Sequence, residues 1–276
     1  MKISTEIGSV SKIVGEAKAV EYVAKAGFDA WDFSMFYINQ DWHPLSKKSY
    51  LQYARELRKI GEDNGIVCNQ SHAPFPVSAE GMDFYLRRAI ECTAEAGGKI
   101  CIIHPDNNKT PEENAQMYLS LLPLAKECGV KIATENMWNW DSSKDEASKA
   151  ACSDEESFCN HLKAVNDEYM VACLDIGHAE MKGLNTSAEK MILALGDKLQ
   201  ALHIHDNDRW HDSHQIPGSM DIDFDKVVKA LKTIEYKGYF TLEAGEYLHA
   251  YTQENIMQGL NDLKQSVRGL ADKFEQ

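Results

Sequence analysis

What the 276-residue chain lacks narrows the field before anything it contains. No apolar run approaches the roughly 18 to 20 residues of a membrane-spanning helix, and the opening MKISTEIGSV has one lysine and no apolar core of a secretory signal. Neither a membrane partner nor export is therefore expected. Cysteine is present seven times, at positions 68, 92, 101, 128, 152, 159 and 173, but the set is odd and has no CxxC pair. Most of these residues sit in apolar segments, such as 99–103 and 170–174, and read as buried, reduced thiols of a cytoplasmic protein. Clusters of Lys and Arg are missing too, and the formal net charge is −14. A protein that grips a nucleic-acid backbone needs a basic face, so nucleic acid is not expected as a partner. No GxGxxG or GxxxxGK[ST] loop occurs, which removes the usual signatures of dinucleotide and phosphate-loop folds. No linker divides the chain, so residues 1–276 read as one domain.

What is present is a repeated alternation. Short, nearly continuously apolar segments at 2–7, 28–33, 66–72, 99–104, 131–136, 170–176, 199–206 and 239–244 read as strands buried on both faces. Between them, residues 12–26, 47–64, 79–96, 111–128, 154–166, 186–195, 224–234 and 252–273 carry apolar positions at three- and four-residue spacing, the pattern of amphipathic helices. Gly27, Gly65, Gly97 and Gly129 fall just before the next strand, where a left-handed helix cap belongs. Strict β/α alternation implies a parallel sheet. Eight units in about 270 residues predict an α/β fold of the closed (β/α)8 TIM-barrel type. The polar stretch WNWDSSKDEASKAACS (138–153) reads as a long loop after the fifth strand.

The ionisable residues fall at one end of these strands. His72 closes the third, His104 the fourth, Glu135 the fifth, and Asp175 with His178 the sixth. The seventh carries His203, His205 and Asp206, followed by Asp212 and His214, and the eighth ends in Glu243. In a parallel barrel all these ends face one mouth, where the active sites of the fold lie. Each residue alone has a plainer role. A single strand-end His is ordinarily a hydrogen-bonded structural residue, Asp175 can cap the next turn, and Asp212 can stabilise its own loop. Asp208, His211 and Asp221 read as solvated loop residues. Six consecutive strands delivering His, Asp or Glu to one mouth instead predict a metal site, because carboxylates ending apolar strands need a cation or donors to offset their desolvation. Oxygen-rich ligands with imidazole suit Mn²⁺, Mg²⁺, Co²⁺ or Zn²⁺ rather than thiolate-selected metals, and no cysteine is expected at the mouth. His203 and His205, two residues apart, point to one face with His203 deeper.

The motifs TEN, LDIGHA, HIHDND, DSHQIPG and LEAG resemble those of the xylose-isomerase-like barrel superfamily, over nearly the whole chain. That superfamily comprises sugar and sugar-phosphate isomerases and epimerases and also the apurinic-site endonucleases. For the isomerases and epimerases the resemblance implies one divalent metal held by Glu135, Asp175, His203 and Glu243, with His178 on substrate oxygens. For the endonucleases it implies a trinuclear zinc cluster that adds His72, His104, His178, Asp212 and His214. The same residues can line a sugar pocket instead. One departure is Pro217-Gly218-Ser219-Met220, where the family turn usually reads PGxG.

The expected activity is isomerisation or epimerisation of a sugar or sugar phosphate through a metal-stabilised enediolate, with Glu135 and Glu243 as the proton-moving bases. His72, His104, His178, His205, Arg209, Asp212 and His214 are the expected substrate contacts, and Trp31, Phe75, Trp138 and Trp140 candidate apolar walls. A dehydratase of a polyol or keto sugar, starting from the same proton abstraction, is the nearer alternative; a zinc-dependent apurinic-site endonuclease is the more distant one. The resemblance also implies a homo-oligomer.

Overall fold

Every one of the eight expected strands forms. The computed structural model describes the whole chain, Met1–Gln276. In chain order the strands are β1 (Ile3–Glu6), β2 (Ala30–Ser34), β3 (Val67–His72), β4 (Ile100–Ile102), β5 (Lys131–Glu135), β6 (Asn139–Asp141), β7 (Glu146–Ser148), β8 (Met170–Asp175), β9 (Leu199–His203) and β10 (Phe240–Leu242). All but β6 and β7 belong to one parallel sheet in the spatial order β10-β1-β2-β3-β4-β5-β8-β9. A parallel bridge from Ile204, just past β9, to Leu242 of β10 closes the ring. The result is a (β/α)8 barrel whose sixth, seventh and eighth strands are β8, β9 and β10.

The helices are α1 (Gly8–Val14), α2 (Glu16–Ala26), α3 (Tyr50–Asp63), α4 (Met82–Glu95), α5 (Pro111–Cys128), α6 (Glu155–Val165), α7 (Ile176–Ala179), α8 (Ala188–Leu195), α9 (Phe224–Thr233) and α10 (Ile256–Glu275). Where the start and stop chemistry is complete, the sequence bounds hold. α5 opens with a capping box between Thr110 and Glu113, has Pro111 in its first turn and ends on Gly129 in the left-handed region. Gly27, Gly65 and Gly97 also have positive φ, as the capping pattern requires. The expected helix over 12–26 is instead two: Gly15, at φ 82° and ψ 154°, cannot continue a helix and separates α1 from α2. No helix is long and apolar enough to cross a membrane.

The stretch 138–153 is not the irregular loop expected. β6 and β7 pair there as an antiparallel hairpin, and Ala147 N–H donates to Lys182 O at 2.9 Å, which ties the hairpin to the segment after α7. Strands of three residues are too short to show alternation, so the hairpin left no periodic signal.

The main apolar cluster lies between the strands and the surrounding helices, with Ile3, Val20, Trp31, Leu86, Leu121, Ile192, Leu231 and Leu260 among its members. Inside the ring, Ile102, Ala133, Val171, Cys173 and Ala201 form a separate small apolar plug. Across from it the interior is polar. The β2–β3 register slips between Trp31–Cys68 and Asp32–Gln70, leaving Asn69 as an extra residue. Asn69 and Gln70 then both reach inward: Ser4 Oγ donates to Asn69, and Gln70 Nε2 donates to Asp32 Oδ2 at 2.9 Å. These polar groups bond to one another, leaving only Asp32 Oδ1 among them buried without a partner, and they form the floor beneath the mouth.

Candidate active site

The carboxyl ends of the strands surround a cavity of about 600 Å³, lined among others by Glu6, Phe75, His104, Glu135, Trp138, His178, Asp212, His214 and Glu243. β5 ends on Glu135, fully buried. Its Oε1 accepts from His203 Nδ1 at 2.8 Å, while Oε2 stands 3.2 Å from His104 Nε2 and 3.5 Å from His72 Nε2. Glu243 Oε2 lies 3.5 Å from the same His203 Nδ1. Asp175 ends β8 and does cap the next turn: its Oδ1 accepts from His178 N at 2.7 Å and from His205 Nε2 at 3.0 Å. Ligand atoms of Glu135, Asp175, His203 and Glu243 all lie within 4.8 Å of one another. Four further groups meet the same limit; two of them extend the cluster to either side, His72 with His104 and Glu135, and His178 with His205, Asp212 and His214.

The histidines are oriented by what their far nitrogens bond. Nδ1 of His72 faces Ala73 O at 2.8 Å, that of His178 faces Asn136 O at 2.8 Å, and that of His214 faces Glu243 O at 2.7 Å. A carbonyl only accepts, so each Nδ1 carries the proton and each Nε2 is presented to the cluster. His203 is reversed, with Nδ1 toward Glu135 and Nε2 3.3 Å from Asp32 Oδ2. The backbone is shaped to this purpose at Gly177, where a Cβ would come within 1.9 Å of His205 Cε1.

Electrostatics follow from the crowding. Burial alone would push the Glu135 carboxyl up, but the charge and hydrogen bond of His203, with the His104 and His72 imidazoles beside it, hold it well below its usual value. Burial works against a charged His203 as well, yet Cys173, Glu135 and Glu243 beside it raise it well above the ordinary imidazole range. Asp175 and Asp212 likewise overcome burial at His178 and raise it well above that range, and Asp212 lifts His214 to about 10. His104 goes down, through burial and the neighbouring His72. Even so, Glu135 Oε2, Asp175 Oδ2 and Asp212 Oδ1 remain buried with no hydrogen-bond partner. An unpartnered oxygen in each of the three groups, beside imidazole nitrogens held toward it, is what a divalent cation with oxygen and nitrogen ligands would satisfy.

Some expected residues lie elsewhere. Arg209 is turned outward, its side chain half exposed and 3.5 Å from Glu180 Oε2 at the rim. His205 is fully buried behind Asp175 and stacks on His214 at 3.9 Å. Trp31 belongs to the core outside the ring rather than to any sugar wall, because its strand turns it toward the helices. Trp140 is exposed on the hairpin, whereas Phe75 and Trp138 line the cavity. No cysteine lines the cavity, although Cys173, one inward position below Asp175 in the apolar plug, comes within reach of Glu135 and His203. Three residues went unread in the sequence. Glu6 ends β1 inside the cavity, Asp32 backs His203 from β2, and Asn136 pins Asp175 through hydrogen bonds to its N–H and C=O, at 2.8 and 2.9 Å. The signal for Glu6 was weaker than the one that marked Glu135 and Glu243: it too closes a strand, but Ser4 and Thr5 precede it.

A parallel eight-stranded barrel with carboxylates and imidazoles converging at its mouth defines a TIM barrel with candidate metal-binding clusters. Residues 20–269 match the family described as xylose isomerase-like TIM barrel, and the chain belongs to that family. An uncharacterized protein of Methanocaldococcus jannaschii, MJ1311, is 25% identical over 94% of this chain and 89% of its own length. Among solved structures, an L-ribulose 3-epimerase superposes with a TM-score of 0.74 at 16% identity, covering 100% of this chain and 95% of that one. A xylose isomerase domain protein from Alicyclobacillus acidocaldarius gives 0.76 at 14% identity, with 100% of both chains covered. At these identities the likeness is one of fold.

Proposed function

We propose that the protein is a divalent-metal-dependent sugar isomerase or epimerase of the cytoplasm, working by proton transfer at a carbon beside a carbonyl. The observation that carries this reading is the meeting of Glu135, Asp175, His203 and Glu243 within 4.8 Å, with both glutamates lining the cavity. These four residues would hold Mn²⁺, Mg²⁺, Co²⁺ or Zn²⁺, which when bound supplies Lewis acidity to a sugar carbonyl and makes the neighbouring C–H acidic. Glu243, from β10, takes that proton onto a carboxylate oxygen. Glu135, from β5 on another side of the ring, passes to the same carbon for epimerisation, or to the adjacent one for isomerisation, a proton received from His72, whose Nε2 stands 3.5 Å from its Oε2; His72 is reprotonated from solvent, and Glu243 releases its proton there. His72, His104, His178, Asp212 and His214 hold substrate hydroxyls, and Phe75 and Trp138 cover a sugar face and exclude water. Neighbours of this fold include an L-ribulose 3-epimerase, which fits the reading. Seven unpaired thiols suit a reducing compartment.

The test is solvent-deuterium incorporation into ketoses by protein supplied with Mn²⁺, with metal content measured alongside. Exchange should occur in the wild type and fall by about 10²–10⁴ in Glu243→Gln. Exchange that survives the substitution removes the proposed base. Product analysis by NMR separates isomerisation from dehydration.

The group His178, His205, Asp212 and His214, with His72 and His104 beside Glu135, supports a second reading: zinc-assisted hydrolysis of a phosphodiester at abasic DNA. The −14 charge and a cavity whose lining has Lys12 as its single lysine or arginine oppose it. Three bound zinc ions together with cleavage of an abasic oligonucleotide would establish it in place of the first.

A further inference from the structure

We infer that the substrate is an unphosphorylated sugar, and that a hydroxyl remote from its reacting carbons donates to Glu6. The inference rests on the isomerase reading above and concerns the wall of the same cavity formed by β1, the strand beside β10. Glu6 is the uppermost inward residue of β1 and is 4% exposed, yet it lines the cavity. Its Oε2 accepts from Ser9 N at 3.0 Å and from Ser34 Oγ at 3.2 Å. Oε1 has only a longer contact of 3.3 Å to the same Ser9 N–H, so it retains capacity for a donor. The backbone leaves room for that arrangement: a Cβ on Gly245 would lie 3.2 Å from Glu6 Oε1, and one on Gly8 would lie 3.0 Å from Oε2. A carboxylate so fixed selects a neutral hydroxyl donor and repels a phosphate dianion.

The place where barrels of this type hold a phosphate speaks the same way. That cradle is made by backbone N–H groups in the loops after the seventh and eighth strands. Here the loop after β9 is wound on its own carboxylate. Asp206, fully buried, accepts from Gly218 N at 2.8 Å, Met220 N at 2.9 Å, Ile222 N at 3.1 Å and Asn207 N at 2.9 Å. N–H groups that would greet a phosphate are already taken by an internal anion. In the short 3-10 turn Gly245–Ala250 that follows β10, the second residue is Glu246, another anion at the cavity wall. Lys12, the single lysine or arginine in the lining, is exposed on α1.

The experiment compares D-fructose with D-fructose 6-phosphate and with 6-deoxy-D-fructose, and D-xylulose with D-xylulose 5-phosphate, on full-chain protein supplied with Mn²⁺. Deuterium exchange gives kcat and KM, and calorimetric binding of the same sugars gives a readout without turnover. Free ketoses should exceed their phosphates at least tenfold in kcat/KM. Glu6→Gln, an isosteric change whose folding is checked by circular dichroism, should raise KM for a free ketose about tenfold with kcat within about threefold, the loss of one charge-assisted hydrogen bond. The 6-deoxy sugar should already bear that loss and be indifferent to Glu6→Gln. Phosphates preferred over free sugars, or equal sensitivity of both sugars to Glu6→Gln, overturns the inference. Should no sugar exchange its proton, the isomerase reading fails, and binding alone decides this one. Free sugars bound tighter than phosphates and weakened by Glu6→Gln support it; any other binding result, including none, overturns it.

Discussion

Three histidines that surrender Nδ1–H to a backbone carbonyl, and one that turns its Nε2 to Asp32, set the protonation chemistry of the mouth. Burial opposes their charge, yet the groups beside them hold His178 and His203 well above the ordinary range and raise His214 to about 10, which favours the protonated imidazole. A cation held by Glu135, Asp175, His203 and Glu243 competes with the proton on His203, and lower pH strengthens the competitor. Mn²⁺ affinity should therefore rise with pH through the neutral range, with a proton released on binding. Calorimetry in two buffers of different ionisation enthalpy reads the release directly, and a pH-independent affinity without release would count against the imidazole ligand. The residues that announced themselves in the sequence were those on strands whose His or carboxylate closes an apolar run. Asp32 did not, because β2 is buried on both faces and alternation there cannot say which face looks into the ring. Glu6 closes its strand as Glu135 does, but only the folded ring shows that it is buried rather than solvated.

At the scale of elements, the strand and helix pattern was legible wherever periodicity ran for a full turn or more, as in α5 and α9, and illegible in the three-residue hairpin strands. The loop after β9 is the element on which the mouth most depends, since it carries Asp212 and His214 and is wound on Asp206. Asp206→Ala should release the amides of Gly218, Met220 and Ile222 to rapid hydrogen exchange and cost about 1–3 kcal/mol of stability, because their shared buried acceptor is lost. Amide exchange followed by NMR checks this, and unchanged protection at those three positions would show that the loop is held some other way. The motif HIHDND thus contains residues of different kinds: His203 faces the cluster, while Asp206 and Asn207 hold chain to chain.

For the molecule as a whole, closure of the ring is what turns scattered sequence positions into a site. Glu135 and Glu243 are 108 positions apart in the sequence, yet both stand within 3.5 Å of one imidazole nitrogen once Ile204 and Leu242 join the last strands. The net charge of −14 favours concentration of cations around the protein and disfavours polyanions. The measurement that goes straight to the central claim is the anomalous scattering of a crystal grown with Mn²⁺. It should show an ion with Glu135, Asp175, His203 and Glu243 as ligands at about 2.0–2.3 Å. A crystal in which Mn²⁺ binds elsewhere, or in which those four side chains bond only to one another with the ion in excess, would contradict the account.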